Sequence, residues 1–211
     1  FSRLIVETEI TETFEYVRET TDNEPLTGEA YLTNNFRCNT GSFGNANKTK
    51  VYEVSSGSSI GFATEDNVQN EAWGPLQVYM SKAPSDVRMY DGSGEWFKVF
   101  EMGPTAFTEE GIEWASTGLT NFTFTLTDEI ATGQYLVRVE QIDFSDSTAS
   151  AGDNEYYVNC AQVKVTSSSR STVSSSSEVS IPGVYKRSTS GLQYVNGTVT
   201  SEYTMPGPEV W

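Results

Sequence analysis

The chain has 211 residues, 13 Lys and Arg against 29 Asp and Glu for a formal net charge of −16, and no histidine. That length suits one all-β domain able to bury roughly 70% of its unfolded surface, and so acidic a surface repels phosphate backbones and anionic headgroups, which excludes nucleic acid as a partner. Without histidine these residues supply no Ser-His-Asp or Cys-His catalysis and no imidazole metal site, and no apolar run is long enough to cross a bilayer.

In chain order, short alternating runs dominate and helical periodicity is nearly absent. "RLIVETEI", "FEYVRE", "KVYEVSS", "SSIGFATE", "LQVYMSK" and "EWFKVFEM" each predict a strand. "NFTFTLT" places Phe122, Phe124 and Leu126 on one face and threonines on the other. "GQYLVRVEQIDF" sets Tyr135, Val137 and Val139 opposite Leu136, Arg138 and Glu140, and "EYYVNCAQVKV" continues with Tyr157, Ala161, Val163 and Val165. Many short strands at this spacing predict an antiparallel β-sandwich of immunoglobulin or fibronectin III type with long loops. The Ser-rich stretch Thr166–Ser180 reads as a flexible connection inside a single domain spanning 1–211. The Tyr-, Pro- and Trp-bearing segment after it reads as an ordered irregular tail packed back on the sandwich.

Cys38 and Cys160 each adjoin a strand-like run, which favours one long-range disulfide over a zinc site needing four ligands. Such a bridge contributes about 4–5 kcal/mol in the chain-entropy view. Sequons at Asn47, Asn121 and Asn196, taken with the cysteine pair, point to the secretory route. No signal peptide precedes Phe1, so the chain reads as mature or processed. There is no Gly-rich phosphate loop after a strand. Asp143, Asp146, Asp153 and Glu155 lie close in sequence around "DFSDSTASAGDNEYY". They read first as a solvated acidic loop, and second as a hard-cation site or an acid/base pair. Trp73 and Tyr203 are the aromatics for a sugar face; Trp73 reads rather as a cover for the core, and Tyr203 as evenly divided.

The motifs "FRCNTGSFGNANKTKVYEVSSGS", "GPLQVYMSKAPSD", "DGSGEWFKVFEMG", "GQYLVRVEQI", "EYYVNCAQVKV", "VSIPGVYK" and "YTMPGPEVW" occur in order. Together they resemble the fungal lytic polysaccharide monooxygenases of auxiliary activity family nine, once called glycoside hydrolase family sixty-one. The resemblance implies a secreted β-sandwich that oxidises β-glucans at a surface copper ion. In that family the copper is held by an N-terminal histidine and a second histidine, with an axial tyrosine. By the same resemblance, Ala72 stands where the second histidine would precede Trp-Gly-Pro, Ser145 at an outer-sphere histidine, Glu155 at a glutamine, and Tyr157 at the axial tyrosine. "FSRLIV" resembles a segment a few residues inside mature members, so either Phe1 is a natural or processed start or residues precede it. A phenol and a carboxylate bind Cu²⁺ weakly beside a nitrogen-rich site. The expectation is therefore a homologue without copper or catalysis, secreted or wall-associated, monomeric and binding an extracellular or cell-wall polysaccharide. Tyr203, before "PGP", matches a tail-loop tyrosine that contacts substrate in the family. A scaffold for a secreted protein partner, or a weak carboxylate-based glycan-active enzyme, are the alternatives.

Overall fold

Alternation of apolar and polar residues fixes which side of a strand faces a core, and the computed structural model shows two such cores. It describes residues 1–65, 69–148, 150, 152–168 and 178–211. Strands β1 (Arg3–Val6), β2 (Glu9–Ile10), β4 (Ser59–Ala63) and β9 (Asn121–Thr125) form a four-stranded sheet in the order β2-β1-β4-β9. A six-stranded sheet runs β12-β6-β5-β10-β11-β3. It comprises β3 (Tyr52–Ser55), β5 (Leu76–Lys82), β6 (Glu95–Met102), β10 (Gly133–Asp143), β11 (Glu155–Thr166) and β12 (Glu178–Ser180). A separate hairpin joins β7 (Pro104–Thr108) to β8 (Gly111–Trp114). The fold is the expected β-sandwich, with one short α-helix, α1 (Ser42–Asn45), and four single-turn 3-10 helices among the described residues.

Between the sheets, Leu4, Ile60, Phe62, Phe122 and Phe124 meet Val78, Met80, Val137, Val139, Ala161 and Val163. The outer face of the larger sheet is buried as well. Tyr79, Trp96, Leu136, Tyr156 and Val158 lie under Tyr31 and Phe36 from the long β2–β3 connection and under Ile181, Tyr185, Leu192 and Tyr194 from the tail. The Cys38–Cys160 disulfide, with Cα atoms 5.3 Å apart, pins that connection to β11. Isolated bridges Val17–Ala161 and Leu26–Tyr156 do the same.

Three expectations change. "RLIVETEI" is two strands, because Glu7 at φ 55° turns the chain. "FEYVRE" forms no strand; Val17 touches β11 at one bridge only. Of the Ser-rich connection, Thr166 ends β11 and Glu178–Ser180 pairs with β6 at the sheet edge, whereas 169–177 lie outside the described residues. The tail packs back as expected: Lys98 donates from Nζ to the Pro206 carbonyl at 2.8 Å, and Trp211 meets Phe97 edge-on at 5.3 Å.

Candidate active site

The site forms where the inter-sheet core runs out. In the β10–β11 ladder, Gln141 is directly opposite Tyr157, and Asp143 opposite Glu155. Gln141 and Tyr157 occupy the face that carries Val137, Val139, Ala161 and Val163 further in, since side chains repeat every second residue. The turn Ala72–Gly74 closes over this end. Asp143 Oδ1 accepts from the Trp73 amide at 2.9 Å, and the Trp73 carbonyl accepts from the Phe144 amide at 3.0 Å. Ser116 Oγ and Gln141 Nε2 donate to the Gly74 carbonyl at 2.8 and 3.0 Å. Gly74 is required here, because a Cβ would fall on the Ile142 carbonyl.

The result is a cavity of about 960 Å³ whose lining includes Asn70, Trp73, Thr117, Gln141, Asp143 and Tyr157. Ala72 and Ser145 also line it. Ala72 is buried, its carbonyl accepting from Thr117 Oγ1 at 2.8 Å. Ser145 is exposed and donates from Oγ to Asp143 Oδ1 at 2.7 Å. Tyr157 donates to Glu155 Oε2 at 3.0 Å. Burial, then the bond to Glu155 and the charges of Glu155, Asp143 and Glu24, push the Tyr157 phenol far above its ordinary range, so it stays protonated. The Phe1 amino group, buried beside Tyr157, donates to Asn159 Oδ1 at 3.2 Å. Burial lowers it to about 6, opposed by the charge of Glu65.

Trp73 is 46% exposed and stands free at the cavity, where a cover for the core was expected. Tyr203 is half-buried: its ring is edge-on to Trp114 at 4.9 Å and its hydroxyl donates to the Gly191 carbonyl at 2.5 Å. The four acidic residues do not converge: Asp153 accepts from Thr148 Oγ1, Asp146 is exposed in the loop, and only Asp143 lines the cavity. Among the described residues no three His, Cys, Asp or Glu side chains form a metal-holding group. Asn47, Asn121 and Asn196 are all exposed. Sequence reasoning passed over Gln141, fully buried and bonded through Oε1 to Asn70 Nδ2 at 3.0 Å. Its signal was a polar residue in phase with the apolar face of a strand.

The family profile described as Auxiliary Activity family 9 (formerly GH61) matches residues 2–203. The AA9 family lytic polysaccharide monooxygenase G of Aspergillus tamarii is 40% identical over 100% of this chain, which spans 65% of that protein's length. The AA9 family lytic polysaccharide monooxygenase C of Emericella nidulans is 36% identical over 100% of this chain and 90% of its own. Among solved structures, a cellulose-active polysaccharide monooxygenase from M. thermophila aligns at TM-score 0.80 with 26% identity, covering 100% of this chain and 97% of that one. A glycoside hydrolase family 61 member from Hypocrea jecorina aligns at TM-score 0.83 over 100% of this chain and 98% of that one; at 18% identity this speaks to the fold alone.

Two expectations are corrected. The non-enzyme and copper-free readings are overturned, because the matching relatives are named as monooxygenases of a copper-using family and no feature here marks the chain as inactive. The side chains described at this site, a neutral phenol, carboxylates, amides and the Ala72 methyl, nevertheless do not make up a nitrogen-rich donor set for copper.

Proposed function

The chain belongs to Auxiliary Activity family 9, and from that membership we propose that it is a secreted, polysaccharide-active protein whose cavity face meets a β-linked glucan. The observation that carries this is Trp73. Its indole is half free at a cavity whose other lining is mainly amides, hydroxyls and carboxylates, the mixture that stacks on a pyranose ring and bonds its hydroxyls. The cellulose activity in the name of the M. thermophila relative agrees with a glucan ligand. The Cys38–Cys160 bridge and three exposed sequons support the secretory route. We propose that 1–211 act as one domain, since its early connection and its tail pack on the same sheet.

Sedimentation with cellulose, xylan, chitin and fungal wall glucan tests the reading. The protein is expected in the pellet with at least one β-glucan. Trp73→Ala should weaken retention about five-fold or more, in line with loss of one stacking aromatic, with the melting temperature unchanged. Protein left in the supernatant with every polysaccharide overturns the proposal.

A further inference from the structure

The tail meets the β7–β8 hairpin at a tight turn. The Thr198 amide donates to the Val195 carbonyl at 3.0 Å, which puts Asn196 and Gly197 at the centre of the turn. Gly197 takes φ 77°, a value glycine adopts without strain. Both central residues are exposed, and of the chain's asparagines only Asn196 is followed by glycine. Neither the Asn196 carboxamide nor the Gly197 amide enters a hydrogen bond among the described residues. The other two sequons differ. After Asn47, the Lys48 amide donates to the Asn45 carbonyl at 3.0 Å, and after Asn121, Phe122 pairs with Phe62 in the β4–β9 ladder. The fold holds the nitrogen that follows those two asparagines and leaves the one after Asn196 free.

That combination has a chemistry of its own. The Gly197 nitrogen, giving up its proton to base, adds to Asn196 Cγ. The new C–N bond closes a five-membered imide as the bond to Nδ2 breaks and ammonia leaves. Water then opens the imide at either carbonyl. One opening gives aspartate; the other leaves the main chain running through the former side chain, as isoaspartate. A side chain on the following residue would obstruct the attack, and glycine has none. A sugar on Nδ2 crowds Cγ and makes that nitrogen a poorer leaving group.

We infer that Asn196 is a self-modifying site whose fate is set by its glycan. With a sugar on Nδ2 it stays asparagine; without one it becomes aspartate and isoaspartate, which destroys the sequon Asn196-Gly197-Thr198. The seat of the turn carries the change into the fold. Tyr194 Oη accepts from the Ile112 amide at 3.1 Å and donates to the Thr198 carbonyl at 3.3 Å, so one hydroxyl ties the turn to β8. A Cβ on Gly111 would stand 3.1 Å from the Gly197 Cα, so hairpin and turn are in direct contact. Isoaspartate lengthens the main chain at that contact, and either product adds a negative charge there. The Tyr194 ring is edge-on to Trp114 at 5.9 Å, so tryptophan emission reports the disturbance.

The experiment is peptide mapping by mass spectrometry, with isoaspartate quantified, on the full chain secreted by a glycosylating host. The parent is compared with Thr198→Ala, which removes the sequon and keeps Asn196-Gly197. Both are incubated in mildly acidic and mildly alkaline buffer. In Thr198→Ala, loss of the Asn196 peptide should run ahead of every other asparagine-bearing peptide and be several-fold faster in the alkaline buffer. The glycan-bearing parent should keep Asn196. Converted protein should show shifted tryptophan emission and a lower melting midpoint than fresh protein. Asn196→Gln, whose longer side chain cannot close the five-membered ring, should keep both unchanged through the same incubation. Persistence of Asn196 in Thr198→Ala, or earlier conversion of another asparagine, overturns the inference. Equal conversion in the glycan-bearing parent removes the glycan's part in it, and conversion with unchanged emission and midpoint removes its reach into the fold.

Discussion

Arg138 and Glu140 are fully buried on the outer face of the larger sheet, and their ion pair measures 2.6 Å. Around them most polar atoms are matched, although Arg138 Nη1 is buried with no hydrogen-bond partner among the described residues. Arg138 Nη2 and Nε donate to the Phe36 and Arg37 carbonyls at 3.0 and 2.9 Å, while Glu140 Oε1 accepts from Tyr185 at 2.5 Å and Gln77 Nε2 at 3.1 Å. Removing one buried partner leaves the other charge unpaired, which costs about 3–5 kcal/mol. Glu140→Ala should therefore lower the unfolding free energy by about that amount, and Tyr185→Phe by about 1–3 kcal/mol; denaturant titration with unchanged m-values would check both. A loss below about 1 kcal/mol for Glu140→Ala would mean that Arg138 finds water or another acceptor. The phase of Arg138 and Glu140 opposite Val137 and Val139 is legible in "YLVRVEQI". Their burial is not, because it depends on coverage by Phe36 and Tyr185, which lie 102 and 45 residues away in sequence from the atoms they contact. Trp73 is the reverse case: the turn was visible, but its outward aim follows from Asp143 capturing its amide.

At the scale of elements, β9 and β10 were readable because each repeats its apolar residues every second position over a whole strand. The β7–β8 hairpin was missed, since β7 is half-exposed, β8 is only four residues long, and the turn residues Glu109 and Glu110 are not the usual glycine or asparagine pair. "FEYVRE" failed for a different reason: Arg18 turns inward and spends its donors on Gln162 Oε1 and the Val87 and Tyr90 carbonyls, which takes that segment out of the ladder. Gly61 shows how tightly two strands constrain each other. It pairs with Thr123 across β4–β9, and a Cβ there would overlap the Phe122 carbonyl and the Thr123 Cα. Since the obstacle is backbone, Gly61→Ala must push β9 away and spoil the stacking of Phe100 on Phe122 and Phe124. We expect a loss above about 3 kcal/mol, in the range of strong core disruption, seen as a lower melting midpoint and weaker near-ultraviolet circular dichroism. A midpoint within a degree or two of the parent would show that the sheet accommodates the methyl.

Across the whole molecule, burial on both faces of the larger sheet takes tyrosines out of water. Burial pushes the Tyr135 phenol up to about 12, and Tyr79, Tyr156, Tyr185 and Tyr203 are raised further, burial again leading and the charge of Glu140 adding to each. A folded-state pKa above the unfolded value of about 10 favours the native state fully below that pH, and the advantage disappears as pH rises through the folded value. Phenolate absorbance should thus rise in a cooperative step above about pH 10 that coincides with loss of tertiary signal; gradual titration of all eleven tyrosines near 10 would contradict it. The tail that buries Tyr185 was legible as ordered because it regains Tyr, Val and Trp, but the face it covers was not, since no local pattern names a partner. The same long-range attachment bears on synthesis. Cys38 leaves the ribosome 122 residues ahead of Cys160, an interval on the order of ten seconds at common elongation rates. Val17 and Leu26 wait equally for β11. Through that interval the segment from Val17 to Cys38 lacks its attachment to β11, so the order of emergence makes the arrival of β11 the event that seats it.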